Sequence, residues 1–252
     1  MRIDTLTGTI EERLLVNYRV DPGVMGVLVP PPFTPAVVNG HAVAGICLIQ
    51  LRVRVRGVPG PAFRSRNGAH RVAVTLPDGR PAVYVPRRDT TSRLGTLVGG
   101  RLFPGTQHHA TINSQWTGDR LQVRLRSDDG ATQLAVAATI ADRLPPDSVF
   151  DDLAHASAFF QQGSLGYSDA PARRRSPATY DGIELRTETW SVVPMAVDDA
   201  RSSFFDDRAL FPDGSVTLDN ALLMRDLPHS WHRRPTLATT DAHTWNDGPR
   251  ST

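Results

Sequence analysis

The stretch AVVNGHAVAGICLIQLRVRVR (Ala36–Arg56) decides the fold class. Asn39-Gly40 separates two runs of strand formers, and both residues tolerate the positive φ that a two-residue hairpin turn demands. Beyond the turn, Leu51, Val53 and Val55 alternate with Arg52, Arg54 and Arg56. A period of two puts the apolar side chains on one face and the arginines on the other, as in a half-buried strand. Cys47 lies in the apolar run Ala44–Leu51, which predicts a buried structural thiol.

Working outward, strands dominate. Thr9–Val20 is rich in strand formers and stops at Asp21-Pro22. Asp21 suits an N-cap and Pro22 the first helical position, which predicts a short helix over Asp21–Leu28, ended by Pro30-Pro31-Pro32. Gly57–Gly68 reads as a loop. Arg71–Leu76 and Pro81–Val85 form a second hairpin around Pro77-Asp78-Gly79-Arg80. A helix capped by Thr90 or Thr91 is expected to run to about Leu102. His108–Trp116, Arg120–Arg126 and Thr132–Ala141 are three further strands joined by Gly-containing turns. Helices are expected over Asp147–Phe160 and Asp198–Phe205, and strands over Ile183–Val193 and Ser215–Met224. Gly163 suits a helix C-terminal turn. Arg173–Ala178 reads as a surface loop. The polar stretch 235–252 is expected to be a mobile tail after one domain spanning 1–234. The pattern gives an α+β, mostly antiparallel β fold with few helices, barrel-like, and argues against a Rossmann fold.

All 28 basic residues are arginine, and there is no lysine. Arginine does not serve as an amine nucleophile, so lysine Schiff-base chemistry is excluded. The composition, also rich in Ala, Gly and Pro, matches a GC-rich bacterial genome. The formal charge of +2 and the lack of a basic block argue against nucleic acid as a partner. One cysteine permits no intrachain disulfide. No signal-peptide pattern and no 18-residue apolar stretch occur, so a cytoplasmic protein without a membrane partner is expected. No cofactor is implied.

Several ordered segments resemble the acetoacetate-decarboxylase-like superfamily, and within it the bacterial domain-of-unknown-function 2071 family. They are NYRVDPGVMGVLVPPPF (Asn17–Phe33), DGRPAVYVPRRDTTSRLGTLVGGRLF (Asp78–Phe103), FFQQGSLGYSDA (Phe159–Ala170), SSFFDD (Ser202–Asp207) and ALLMRDLPHSWH (Ala221–His232). The resemblance implies a curved, largely antiparallel β-barrel with flanking helices and an internal small-molecule cavity. It also implies that Arg19, in Tyr18-Arg19-Val20-Asp21, faces a substrate carboxylate. Read from the residues alone, Arg19 is either such an anchor, through its bidentate fork, or a surface arginine pairing with Asp21 or Glu12. The superfamily's paired lysines fall at Gln107-His108, after Gly99-Gly100-Arg101. Its glutamate falls near Gly68-Ala69-His70, where there is no acid. Imine-based decarboxylation therefore does not carry over.

The remaining candidates for catalysis are His108, His109 and His70, since imidazole can move protons near neutral pH. Adjacent strand residues face opposite ways, so only one of His108 and His109 can meet a cavity. Arg19, Tyr84, Arg101, Gln107 and Tyr167 are candidate substrate contacts. A metal site at His229 and His232 would need further ligands, with Asp226 and His243 as candidates, but Arg225, Arg233 and Arg234 crowd the segment with positive charge, so His229 and Trp231 are expected to pack the chain end against the barrel instead. Two small-molecule functions compete. One is a lyase- or isomerase-type enzyme (dehydration, isomerisation or cyclisation) acting on a small carbonyl or carboxylate compound. The other is a non-catalytic protein holding a small ligand in the same cavity. An interaction module with a collapsed cavity is a third. Exposed strand edges would allow a homo-oligomer.

Overall fold

A computed structural model describes residues 5–54, 62–93, 105–170 and 178–239. The order is β1 (Thr5–Val20), α1 (Pro22–Leu28), β2 (Thr34–Pro35), β3 (Val37–Val38), β4 (His41–Arg54), β5 (Phe63–Thr75), β6 (Pro81–Thr90), β7 (Gln107–Thr117), β8 (Arg120–Ser127), β9 (Gln133–Ile140), α2 (Leu153–Gln162), β10 (Leu165–Asp169), β11 (Thr179–Thr187), β12 (Val193–Ser202) and β13 (Val216–Ala238).

The hairpin expected at Asn39-Gly40 joins β3 to β4, with φ of 44° and 81° at its two central residues. That is the double positive φ of the tight hairpin turn. Asp21 caps α1, its carboxylate accepting from the backbone N–H groups of Gly23 and Val24 at 2.8 and 3.1 Å. Pro22 follows at the first position, where a missing N–H costs nothing.

The described strands pair into one mostly antiparallel sheet, and the pairing closes on itself. Two long strands make this possible. β13 pairs with β1, β11 and β12 along different parts of its length, and β6 pairs with β5, β10 and β7. A smaller ring runs β13–β1–β4–β5–β6–β10–β11 and back to β13. A larger one leaves β6 through β7, β8, β9 and β12. The segment β13–β1–β4–β5–β6 belongs to both rings.

That shared segment is covered on both faces, and the period of two sorts its side chains. Leu14, Val16, Tyr18, Ile46, Leu48 and Val72 pack toward the larger ring, against Ile112, Val123 and Leu125. Leu15, Cys47, Ala73, Leu222 and Met224 pack the other way, against Phe150, Phe160 and Leu185. Each such fully buried aliphatic side chain contributes roughly 1.5–3 kcal/mol by leaving water. Burial on both faces explains the unbroken apolar runs Leu14–Val16 in β1 and Ala42–Ile49 in β4.

Several expected boundaries differ. β5 begins at Phe63, inside the loop expected over Gly57–Gly68, of which residues 57–61 lie outside the described residues. Helix α2 starts at Leu153, not Asp147. Ser148 Oγ and Val149 N donate to Asp219 on β13, at 2.8 Å each, which pins that segment in a turn. Asp152 then caps the helix by accepting from His155 N at 2.7 Å. The helix expected over Asp198–Phe205 is instead the end of β12, paired with β9, followed by a turn. β12 begins at Val193, and β11 ends at Thr187. β13 runs on to Ala238, paired with β11, four residues into the stretch expected as a tail. The helix expected to reach Leu102 and the loop from Arg173 lie largely outside the described residues, and Thr90 closes β6. No described helix is long and apolar enough to cross a membrane.

Candidate functional site

All seven strands of the smaller ring, together with α2, line one cavity of about 140 Å³. This is comparable to the ~150 Å³ of an engineered apolar cavity that takes benzene, so it suits a molecule of about six non-hydrogen atoms. Its walls are largely apolar, with Ala73, Val85, Phe159, Phe160 and Leu185 among them. Three arginines line it, Arg13 on β1, Arg71 on β5 and Arg88 on β6, together with Cys47 on β4.

The sheet register explains their convergence. Cys47 lies opposite Leu15 on one side and Ala69 on the other, and Ala69 lies opposite Arg88. Two residues before Cys47, on the same face, Gly45 lies between Asn17 and Arg71. Gly45 has no side chain to separate those neighbours, and Arg71 Nη2 donates to Asn17 Oδ1. A Cβ at Gly45 would lie 2.4 Å from the Val16 carbonyl oxygen, so glycine is required there. Asn17 Nδ2 donates to Asn220 Oδ1 at 2.7 Å, and Asn220 donates to Asp219. The Arg71 guanidinium also lies 4.8 Å over the Phe160 ring. Arg88 Nε donates to Ser168 Oγ at 3.1 Å. Arg13 Nε lies 3.4 Å from Cys47 Sγ.

The charge balance is the notable feature. Among the described residues, no carboxylate pairs with Arg13, Arg71 or Arg88. Arg71 is 5% exposed, and its Nε and Arg13 Nη1 have no hydrogen-bond partner. Burial pulls the Arg71 guanidinium down to about 10, with Cys47 opposing the shift and Arg13 adding to it. Burial likewise pulls Arg88 to about 10, with Cys47 again opposing. Both stay cationic at neutral pH, so the cavity holds positive charge without a counter-charge from the described residues. Such a site is completed by an anion, and a carboxylate matches the guanidinium fork.

The residues expected from sequence lie elsewhere. Arg19 pairs with Asp147 at 2.9 Å and approaches the buried Asp219 at 3.6 Å. It meets the cavity only indirectly, through Asp219, Asn220 and Asn17. His70 is buried on the opposite face of β5, 3.4 Å from Ser202 Oγ and packed against Phe204. Burial, with Arg87 adding to it, drops it to about 4. His108 and His109 sit at the start of β7 and pair with Asp129 and Asp128, at 3.1 and 2.8 Å. Gln107 lies beside Arg88 in the parallel β6–β7 ladder. Tyr84 donates to Asp169 at 3.2 Å and, like Tyr167, packs on Phe33. None of these seven lines the cavity, and Arg101 is outside the described residues. His229 stacks edge-on against Trp231 near the chain end, as expected of a packing residue. Ala69, in the segment matched to the superfamily's glutamate, does line the cavity.

The site residues missed from sequence are Arg13, Arg71, Arg88 and Cys47. Arg71 carried a usable signal: it is the one charge inside the otherwise apolar run Ala69–Leu76, apart from His70 beside it. A larger groove on β7, β8, β9 and β12, with Arg124, Arg126 and Arg201, is open to solvent, and these arginines are exposed. It lacks the enclosing apolar walls that a small-ligand site uses.

The closed strand ring with its helix across one face defines an acetoacetate-decarboxylase-like fold. The chain belongs to the DUF2071 family of uncharacterized conserved proteins, whose model matches residues 7–210. Among solved structures, it is similar to the enduracididine biosynthesis enzyme MppR, at TM-score 0.60 and 13% identity, covering 94% of this chain and 88% of that one. It is also similar to acetoacetate decarboxylase from Legionella pneumophila, at TM-score 0.59 and 10% identity over 94% and 88% of the two chains. An acetoacetate decarboxylase-like enzyme from Sphingomonas wittichii RW1 matches at 0.58 and 11%, over 94% and 91%. At these identities the likeness establishes the fold. No curated protein matches.

Proposed function

We propose that this chain binds a small carboxylate, of the size of a short 2-oxo or hydroxy acid, in the arginine-lined cavity. We further propose that it acts on that compound as a lyase- or isomerase-type enzyme without a Schiff-base lysine. The observation that carries this reading is the set of three arginines lining one mostly apolar cavity, with no carboxylate paired to them among the described residues. An anion entering the cavity relieves the cost of desolvated, unpaired charge.

The chemistry follows from the same charges. One guanidinium holds the carboxylate, and a second faces the neighbouring carbonyl or hydroxyl oxygen. Negative charge that develops on that oxygen during enolisation or loss of a β-substituent is stabilised by a cation already in place. This replaces the electron sink that an imine provides in lysine-dependent relatives. The fold supports the reading by analogy, and one structure of MppR holds the condensation product of pyruvate and imidazole 4-carboxaldehyde.

A specific observation favours a second reading. No imidazole, carboxylate or phenol lines the cavity among the described residues. A site with cations and no such group suits holding or sensing a carboxylate without turnover. Two measurements separate the readings. Thermal-shift screening of short oxo and hydroxy acids against their amides tests binding, which both readings require. Loss of the pyruvate methyl proton signal in D2O, catalysed by the protein, tests enolisation. Binding with catalysed exchange supports the enzyme, and binding without exchange supports the carrier. Stabilisation by the amides equal to that by the acids contradicts both.

A further inference from the structure

Cys47 is the one cysteine of the chain, and it lines the cavity while packing in the buried cluster beside it. It is 6% exposed, so a reagent reaches it only through the cavity. Arg13 Nε stands 3.4 Å away. The ladder places Arg88 two strands from it and Gly45, with Arg71 beside it, two residues before it on the same face. The unpartnered Nε of the buried Arg71 is a second mark of a ligand at this spot. The Cys47 sulfur also favours the charge on both Arg71 and Arg88, against the larger opposing effect of burial.

We propose that Cys47 is the nucleophile of this cavity and adds to the keto carbon of 2-oxo carboxylates seated on the arginines. The inference rests on the carboxylate reading above and names a substrate class for it. Sulfur forms a bond to the keto carbon, and the C=O π bond breaks with its electron pair going to oxygen. The proton released by the thiol ends on that oxygen. The product is a hemithioketal, and neither oxidant nor reductant is consumed. Geometry favours this class because the carbon attacked is next to the carboxylate, just as the sulfur is next to the guanidinium groups.

The test uses the intact protein and two alkylating agents that differ in charge. Iodoacetate carries its electrophilic carbon beside a carboxylate, and iodoacetamide is its neutral analogue. Cys47 is expected to react at least tenfold faster with iodoacetate in the folded chain, and pyruvate is expected to slow that reaction. The urea-unfolded chain should show no such preference. Two further readouts use [2-13C]pyruvate, which should give a tetrahedral carbon signal with the native chain but not with C47S, and calorimetry of pyruvate binding to C47S. If Cys47 is inert to iodoacetate, or reacts equally with both reagents, the nucleophile is overturned. If pyruvate still binds to C47S in that case, the carboxylate reading survives alone. If pyruvate binds to neither protein, both fall.

Discussion

Arg71 on β5 reaches across the bare position of Gly45 to donate to Asn17 on β1. This buried pair holds a cation at the cavity wall, and Asn17 in turn holds Asn220 at 2.7 Å. Replacing Asn17 with Ala leaves buried polar groups on two strands without partners. The expected loss is about 1–3 kcal/mol of stability. Affinity for pyruvate should also weaken, because Arg71 is no longer aimed. Urea denaturation and calorimetry on the same preparation read both effects.

Gly45 should tolerate no side chain. A Cβ there meets the Val16 carbonyl oxygen at 2.4 Å, and backbone cannot swing aside as a side-chain tip can. Gly45→Ala is expected to cost about 1–3 kcal/mol through overpacking. A midpoint of urea unfolding equal to the parent's would contradict the register described for β1, β4 and β5.

Arg19 separates the resemblance from the structure. The structure gives it Asp147 and the buried Asp219 as partners. Arg19→Gln is therefore expected to lower stability by about 1–3 kcal/mol, since Asp219 loses a charged neighbour. Pyruvate affinity should stay within about threefold of the parent, less than the charge-assisted bond of a direct anchor is worth. A hundredfold loss of affinity in a folded Arg19→Gln chain would make Arg19 the anchor and displace the cavity arginines from that role.

Acid should destabilise the fold through two buried histidines. Burial lowers His70 and His229 to about 4, from an ordinary value of 6.5. The unfolded chain binds their protons first as pH falls, so stability is greatest above pH 6.5 and drops between 6.5 and 4. The loss is on the order of 3 kcal/mol for each histidine. His70→Gln should flatten part of that slope in urea titrations between pH 4 and 7. An unchanged slope would mean that His70 is not held neutral.

Much of the sheet was legible in the sequence, and the site was not. The Asn39-Gly40 turn and the Asp21-Pro22 helix start are local signals, set by φ preference and capping, and they need no knowledge of the rest of the chain. The start of α2 differs from expectation because Ser148 and Val149 answer to Asp219, some seventy residues away. The end of β12 was misread because its pairing with β9 outweighs local propensity. The same limit hid the cavity. Arg13, Cys47, Arg71 and Arg88 come from four strands, and only the register brings them together. Because β1 and β4 are buried on both faces, alternation does not tell which face of each strand meets a ligand. The histidines drew notice by residue type, yet His108 and His109 are engaged by Asp129 and Asp128, and His70 is under Phe204.

The central claim is that Arg13, Arg71 and Arg88 make the cavity a carboxylate site. Calorimetric titration of the intact chain with pyruvate and with pyruvamide, repeated on Arg88→Gln, tests it most directly. Arg88 is only partly buried, so its replacement should leave the fold intact. Pyruvate is expected to bind and pyruvamide not to, and Arg88→Gln is expected to weaken pyruvate by roughly tenfold or more, the worth of a charge-assisted hydrogen bond. Equal binding of the acid and the amide, or pyruvate affinity unchanged in Arg88→Gln, would contradict it.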